Sequence, residues 1–222
     1  MSVKNTITNL RRVIRNLILS ESTSPGRKSG ARTINDLSPD AVVTVEGDFQ
    51  IYIEDVLSED LRRELGISTN NRHYRIGSLV QLGTISLSYD CMNSYEVINV
   101  EAFDGWGPLL YDLAMEVTVE KGGLGIYPSR YSVQREAFSV WKYYYENRKD
   151  VKWKQMDDRL NTLTPDSADN CAQPWGDKDR PYDTAYDGPD SEDWQSEGAV
   201  LSKVYYKDIE LLPELRRRGI LS

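Results

Sequence analysis

The sequence predicts an α/β domain of the α+β kind, a mixed central sheet flanked by helices, with a basic amphipathic arm in front of it and a long acidic insertion within it. Three observations carry this reading. Between Tyr95 and Gln155, stretches of strand and helix character alternate, as in a layered domain with parallel pairing at its centre. Before Tyr95 the chain is mostly strand-like, as an antiparallel half would be. Between the two halves lies "DGWGP", Asp104 to Pro108, a glycine turn placed directly before an amphipathic helix.

Taken in order, the first twenty residues hold Lys4, Arg11, Arg12 and Arg15 and no acid, and Leu10, Val13, Ile14, Leu17 and Ile18 recur at helical spacing. Such a helix suits a docking arm, a membrane-surface helix, an organellar transit peptide or a helix packed on its own domain. "ESTSPGRKSGA", Glu21 to Ala31, reads as a flexible linker, which assigns residues 1–33 to the arm and 34–222 to the domain. "AVVTV" and "FQIYIED" are strands, the second with Phe49, Ile51 and Ile53 on one face. A short helix runs from about Ser58 to Gly66, and "HYRIGSLVQLGTISLSYD" continues the sheet with bends or bulges expected at Gly77 and Gly83.

"YEVINVEAF" is apolar on both faces, as a covered central strand would be. A helix is predicted from Pro108, with Leu110, Leu113, Ala114 and Val117 as its buried stripe and Gly122 and Gly123 closing it. "LGIYP" is a strand, Ser132 caps a second helix with the stripe Val133, Ala137, Val140, Trp141 and Tyr144, and "VKWKQ" is a further strand. The acidic, turn-rich insertion 157–197 comes next, then the strand "AVLSKVYYK" and a short basic helix in "DIELLPELRRRGI".

Charge narrows the function classes. The net charge is −8, and Asp157 to Glu197 holds twelve acids against Arg159, Lys178 and Arg180, so no uniform basic surface for a nucleic-acid backbone is expected. Cys91 and Cys171 lie far apart without a CxxC pair, and His73 is the only histidine, which argues against a structural zinc site. Two free thiols are the simpler reading of the cysteines, with one disulfide as the alternative. Asp177, Asp179 and Asp183 begin like a calcium loop, but the sixth-position glycine and the closing glutamate are missing. No apolar run reaches the about 18 residues of a membrane span.

From about Asp48 to Lys207 the order of elements resembles the GCN5-related N-acetyltransferase fold. That resemblance implies a splayed pair of central strands, here "YEVINVEAF" and "LGIYP", with acetyl-coenzyme A lying in the opening between them. "DGWGP" stands where the family places its pyrophosphate loop, where helix N–H groups and the helix dipole favour phosphate oxygens. Gln134, Ala137, Val140 and Trp141 match the spacing of a second family motif on the next helix. The resemblance thus implies a cofactor site at Ala102, Phe103, Gly105, Trp106, Gly107, Pro108, Leu109, Gln134 and Trp141. An amine acceptor needs a base, for which Glu101 on the central strand is the candidate, its alternative being a solvated strand-end residue. Trp141 stands where the family often has the tyrosine that protonates the departing thiolate, and Tyr145, one of three consecutive tyrosines, is the candidate in its place. The turn departs from the family pattern: it has no Gln or Arg before the glycines and carries Asp104. Its structural alternative is a chain reversal anchored by Trp106.

"LRRVIRNLILSES" is similar to N-terminal leaders of tailed-phage proteins, which implies a phage protein located in the host cytoplasm or in a virion. These features support two functional expectations. One is an N-acyltransferase using acetyl-coenzyme A; the other is a non-catalytic assembly protein whose residues 1–20 and 165–197 dock onto protein partners.

Overall fold

Alternation of apolar residues builds the first half of the sheet. The computed structural model describes residues 31–47, 50–56, 73–83, 92–103, 105–129, 133, 135–158, 164–171 and 200–222. Strands β1 (Val42–Glu46), β2 (Gln50–Val56), β3 (His73–Gly83) and β4 (Tyr95–Ala102) pair antiparallel in sequence order. Val43, Ile51, Ile53 and Leu79 point from them into the core with no exposed surface. The expected short helix at Ser58–Gly66, together with Phe49 and Ser132, lies outside the described residues.

Helix α1 (Gly107–Glu120) returns the chain to β5 (Ile126–Pro128), which pairs parallel with β4. After α2 (Arg135–Asn147) come β6 (Lys152–Gln155), a separate parallel pair of β7 (Asp157–Asp158) with β8 (Asn170–Cys171), then β9 (Lys203–Tyr206) and α3 (Leu211–Arg218). β9 inserts between β5 and β6, antiparallel to both, and the main sheet reads β1-β2-β3-β4-β5-β9-β6. The predicted acidic insertion therefore begins with ordered structure: besides β7 and β8 it has a 3-10 turn at Ser167–Asp169. Residues 172–199 lie outside the described set.

The predicted stripe of α1 is buried, Leu110, Leu113 and Ala114 completely, but so are Tyr111, Met115, Glu116 and Thr118. A helix buried on most of its circumference is enclosed by neighbours rather than resting on a surface. Here the sheet, Trp141 and Tyr144 of α2, and Leu212 and Leu215 of α3 join it in one core. Gly77 lets α1 approach the sheet, since a Cβ there would lie 2.9 Å from Leu110 Cδ1. Gly122, at φ +83°, ends the helix as expected. The helix starts one residue earlier than predicted, at Gly107, because Trp106 already has right-handed helical φ and ψ.

Strand β4 corrects one expectation. It is covered on both faces only over Tyr95–Val97; Ile98 is 45% exposed, and Asn99 and Glu101 are exposed too. The reason is a bulge: Val80 pairs with Asn99 while the next residue, Gln81, pairs with Val97, so Ile98 is extra. The extra residue resets the alternation. Tyr95 and Val97 before it, and Val100 and Ala102 after it, all join the main core.

Candidate functional site

The bulge lies just beyond the last residue of β4 that pairs with β5. β4 and β5 pair at Tyr95↔Ile126, Glu96↔Tyr127 and Val97↔Pro128, and there β5 ends. β4 continues to Ala102 with partners on β3. Among the described residues no strand covers its other edge beyond Val97. The opposite end of the pair is pinned. Tyr95 N–H donates to Gly125 O at 2.9 Å and Leu124 N–H to Asn93 O at 3.0 Å, while a Cβ on Gly125 would fall 2.2 Å from Tyr205 O. The two strands are therefore held together at their N-terminal ends.

The glycine turn follows the C-terminal end of β4. Phe103 N–H donates to Ile76 O at 2.9 Å and Trp106 N–H to Phe103 O at 3.0 Å. Gly105 has φ +83°, which strongly favours glycine. Trp106 is only 6% exposed and belongs to the core, so the anchored-turn expectation holds for its side chain. Arg32 closes the turn from outside: its N–H donates to Gly105 O at 2.8 Å, and its guanidinium carbon lies 5.4 Å from the Trp106 ring centroid.

At the start of α1 there is no side-chain cap and no acidic residue in the first turn. Pro108 has no N–H, and Leu110 N–H reaches Trp106 O at 3.3 Å. The N–H groups of Gly107 and Leu109 have no acceptor among the described residues. A Cβ on Gly107 would meet no atom within 4 Å, and its φ is not positive, so neither packing nor conformation requires glycine there. Such a terminus attracts an anion.

The far side of the first turn is tied to α2. Tyr144, 1% exposed, has its hydroxyl 2.9 Å from Asp112 Oδ1 and 3.0 Å from Pro108 O. Arg148 donates to Asp112 at 3.0 Å and to both carboxylate oxygens of Asp150. Burial, reinforced by the Asp112 charge, pushes the Tyr144 phenol well above its ordinary range, so it remains a neutral donor.

The structure gathers Ala102, Phe103, Gly105, Trp106, Gly107, Pro108 and Leu109 into this turn. It does not join the two catalytic candidates. Glu101 is exposed on β4, opposite Ser78 of β3 and 3.5 Å from Asn99 Nδ2. Tyr145 lies on α2 against Trp153 of β6, their ring centroids 5.3 Å apart. β4 and β6 are three strand spacings apart, about 14 Å. Trp141 is a core residue, 2% exposed, packed edge-on to Tyr111 at 5.0 Å and tilted on Tyr205 at 5.2 Å. Gln134 and Asp104 lie outside the described residues, as do Asp177, Asp179 and Asp183.

Sequence reasoning passed over Arg32, Asp112 and the bulge at Ile98. Arg32 ends a linker-like stretch, and no spacing links it to Trp106. A depression of about 250 Å³ between β1, α1 and α3, lined by Val45, Val117 and Leu212, adjoins the opposite end of α1. No helix among the described residues is long and apolar enough to cross a membrane. No family model, curated protein or solved structure matches the chain.

Proposed function

We propose that the chain is an N-acyltransferase of the GCN5-related kind, moving an acetyl group from acetyl-coenzyme A to an amine. The end of β4–β5 pairing just before the bulge, with the uncapped start of α1 following β4 in the chain, supports this reading. The residues present suit a pyrophosphate: the Gly107 and Leu109 N–H groups lack acceptors among the described residues, the first helical turn has no acid, and Gly107 leaves room for close approach. Bound there, acetyl-coenzyme A would supply the thioester. Glu101, exposed beyond the bulge, is the residue that accepts the proton lost by the amine. Tyr145, on α2 against Trp153 of β6, is given no part in this step. Melting the protein with and without millimolar acetyl-coenzyme A tests the reading: a rise in Tm supports it, and an unchanged Tm together with no acetylated product from a panel of amines refutes it.

The separation of Glu101 from Tyr145 and the burial of Trp141 favour a second reading, a non-catalytic phage assembly protein that keeps the scaffold and docks through residues 1–20 and 165–197. On that reading, deleting residues 1–30 abolishes incorporation into particles and leaves the melting of the domain unchanged. Normal incorporation of the deletion variant counts against it.

A further inference from the structure

We propose that Arg32 is a positioning residue of the glycine turn, so that the segment leading into the domain is a working part of the candidate site. Its role in ligand binding rests on the acyltransferase reading; its role in holding the turn does not.

Main-chain bonds within the domain hold the turn Phe103–Gly107 at Phe103 and Trp106. Its own main chain supplies the bond from Trp106 to Phe103, and β3 supplies the bond from Ile76 to Phe103. Gly105, at φ +83°, is flexible by composition, and its carbonyl is taken by the Arg32 N–H at 2.8 Å. The Arg32 guanidinium over Trp106 adds a second hold on the residue directly before α1. It also brings a positive charge to a turn whose own sequence contributes only Asp104.

Arg32 is itself fixed by the residues just after it in the chain. Thr33 and Asp36 form a capping box, Thr33 N–H donating to Asp36 at 2.8 Å, and Ile34 and Leu37 are buried in the core. Arg218 of α3 donates to Ile34 O and to Asn35 Oδ1, each at 2.6 Å. The lead-in segment is thus held at α3 and reaches the turn as a brace anchored at one end.

Two variants separate the contributions. Arg32→Ala keeps the N–H and removes the guanidinium; Arg32→Pro removes both. Hydrogen exchange at the amides of Trp106 and Leu110 is the ligand-free readout, with the β1 amide of Val43 as a control for global opening. Arg32→Ala is expected to speed exchange at Trp106 and Leu110 about two- to fivefold, the scale of an exposed cation–π contact. Arg32→Pro is expected to speed it about tenfold, the scale of a lost hydrogen bond, with Val43 unchanged in both. Titration with coenzyme A is then expected to show weaker binding in the same order and a shallower salt dependence for both variants. Unchanged exchange at Trp106 and Leu110 in Arg32→Ala overturns the proposal, whether or not Arg32→Pro folds. Faster exchange without any binding of coenzyme A to the unaltered chain leaves Arg32 as the brace and removes the acyltransferase reading.

Discussion

At the scale of single residues, the best-defined electrostatics lie away from the turn and hold α3 and α2 in place. Glu116 is fully buried in α1, and its Oε2 accepts the N–H groups of Leu211 at 2.7 Å and Leu212 at 3.0 Å, capping α3 from another helix. Lys207, 4% exposed, lies 3.1 Å from Oε1, an ion-pair contact rather than a directed hydrogen bond. Glu116→Ala therefore leaves the buried Lys207 ammonium with the exposed Glu210 carboxylate at 3.9 Å and uncaps a helix, and is expected to cost about 3 kcal/mol in urea unfolding. A loss below about 1 kcal/mol would show that the pair is dispensable.

Asp150 gives a pH signature. Hydrogen bonds from Arg148, helped by its charge, lower the Asp150 carboxyl to about 2. Because the folded value lies below the unfolded one, about 3.9, the carboxylate contributes stability at neutral pH that disappears as pH falls from about 4 to about 2. Asp150 is well exposed, so the contribution after solvent screening is about 1 kcal/mol. Asp150→Asn is expected to lower Tm at pH 7 and to narrow its gap to the unaltered protein at about pH 2.5. A gap that stays constant with pH would contradict this assignment. Neither Glu116 nor Asp150 was legible in the sequence as a partner of Lys207 or Arg148, because these contacts are set by the folded geometry rather than by any spacing pattern.

At the scale of elements, glycine positions distinguish packing from access. Gly125→Ala drives a Cβ into the Tyr205 carbonyl directly before β5 and is expected to cost about 2 kcal/mol or more. Gly107→Ala places its Cβ in open space at the first residue of a helix and is expected to raise stability by up to about 1 kcal/mol. If a ligand approaches that backbone, the same methyl group weakens its binding at least tenfold while Tm rises. Unaltered affinity would mean that the ligand sits elsewhere.

These elements were legible to different degrees. α1 and α2 carry apolar stripes at helical spacing, and the sequence places each to within a few residues where the boundary is described. Strands β1, β2 and β5 are marked by apolar residues between turn residues, and β6 by Trp153 between two lysines. The β4 bulge was hidden, because one extra residue converts an inward–outward alternation into a string that looks apolar on both faces. The β7–β8 pair was hidden as well, being two residues per strand within a stretch dominated by acids and turn formers.

At the scale of the whole molecule, the central strands β4 and β5 are pinned at their N-terminal ends and pair no further than Val97, and α1 follows the end of β4. The order of strand, glycine turn, helix and strand was readable because local signals specify each element in turn. The relation of the two catalytic candidates was not, since Glu101 stands on β4 and Tyr145 on α2, and the packing of those elements rather than any sequence spacing sets their separation. The most direct measurement is an amide correlation NMR spectrum of the full chain during titration with coenzyme A. The account predicts that the Gly107 and Leu109 resonances move and saturate together below millimolar ligand while Val43 on β1 stays in place. Gly107 and Leu109 signals that remain still at millimolar ligand would contradict it.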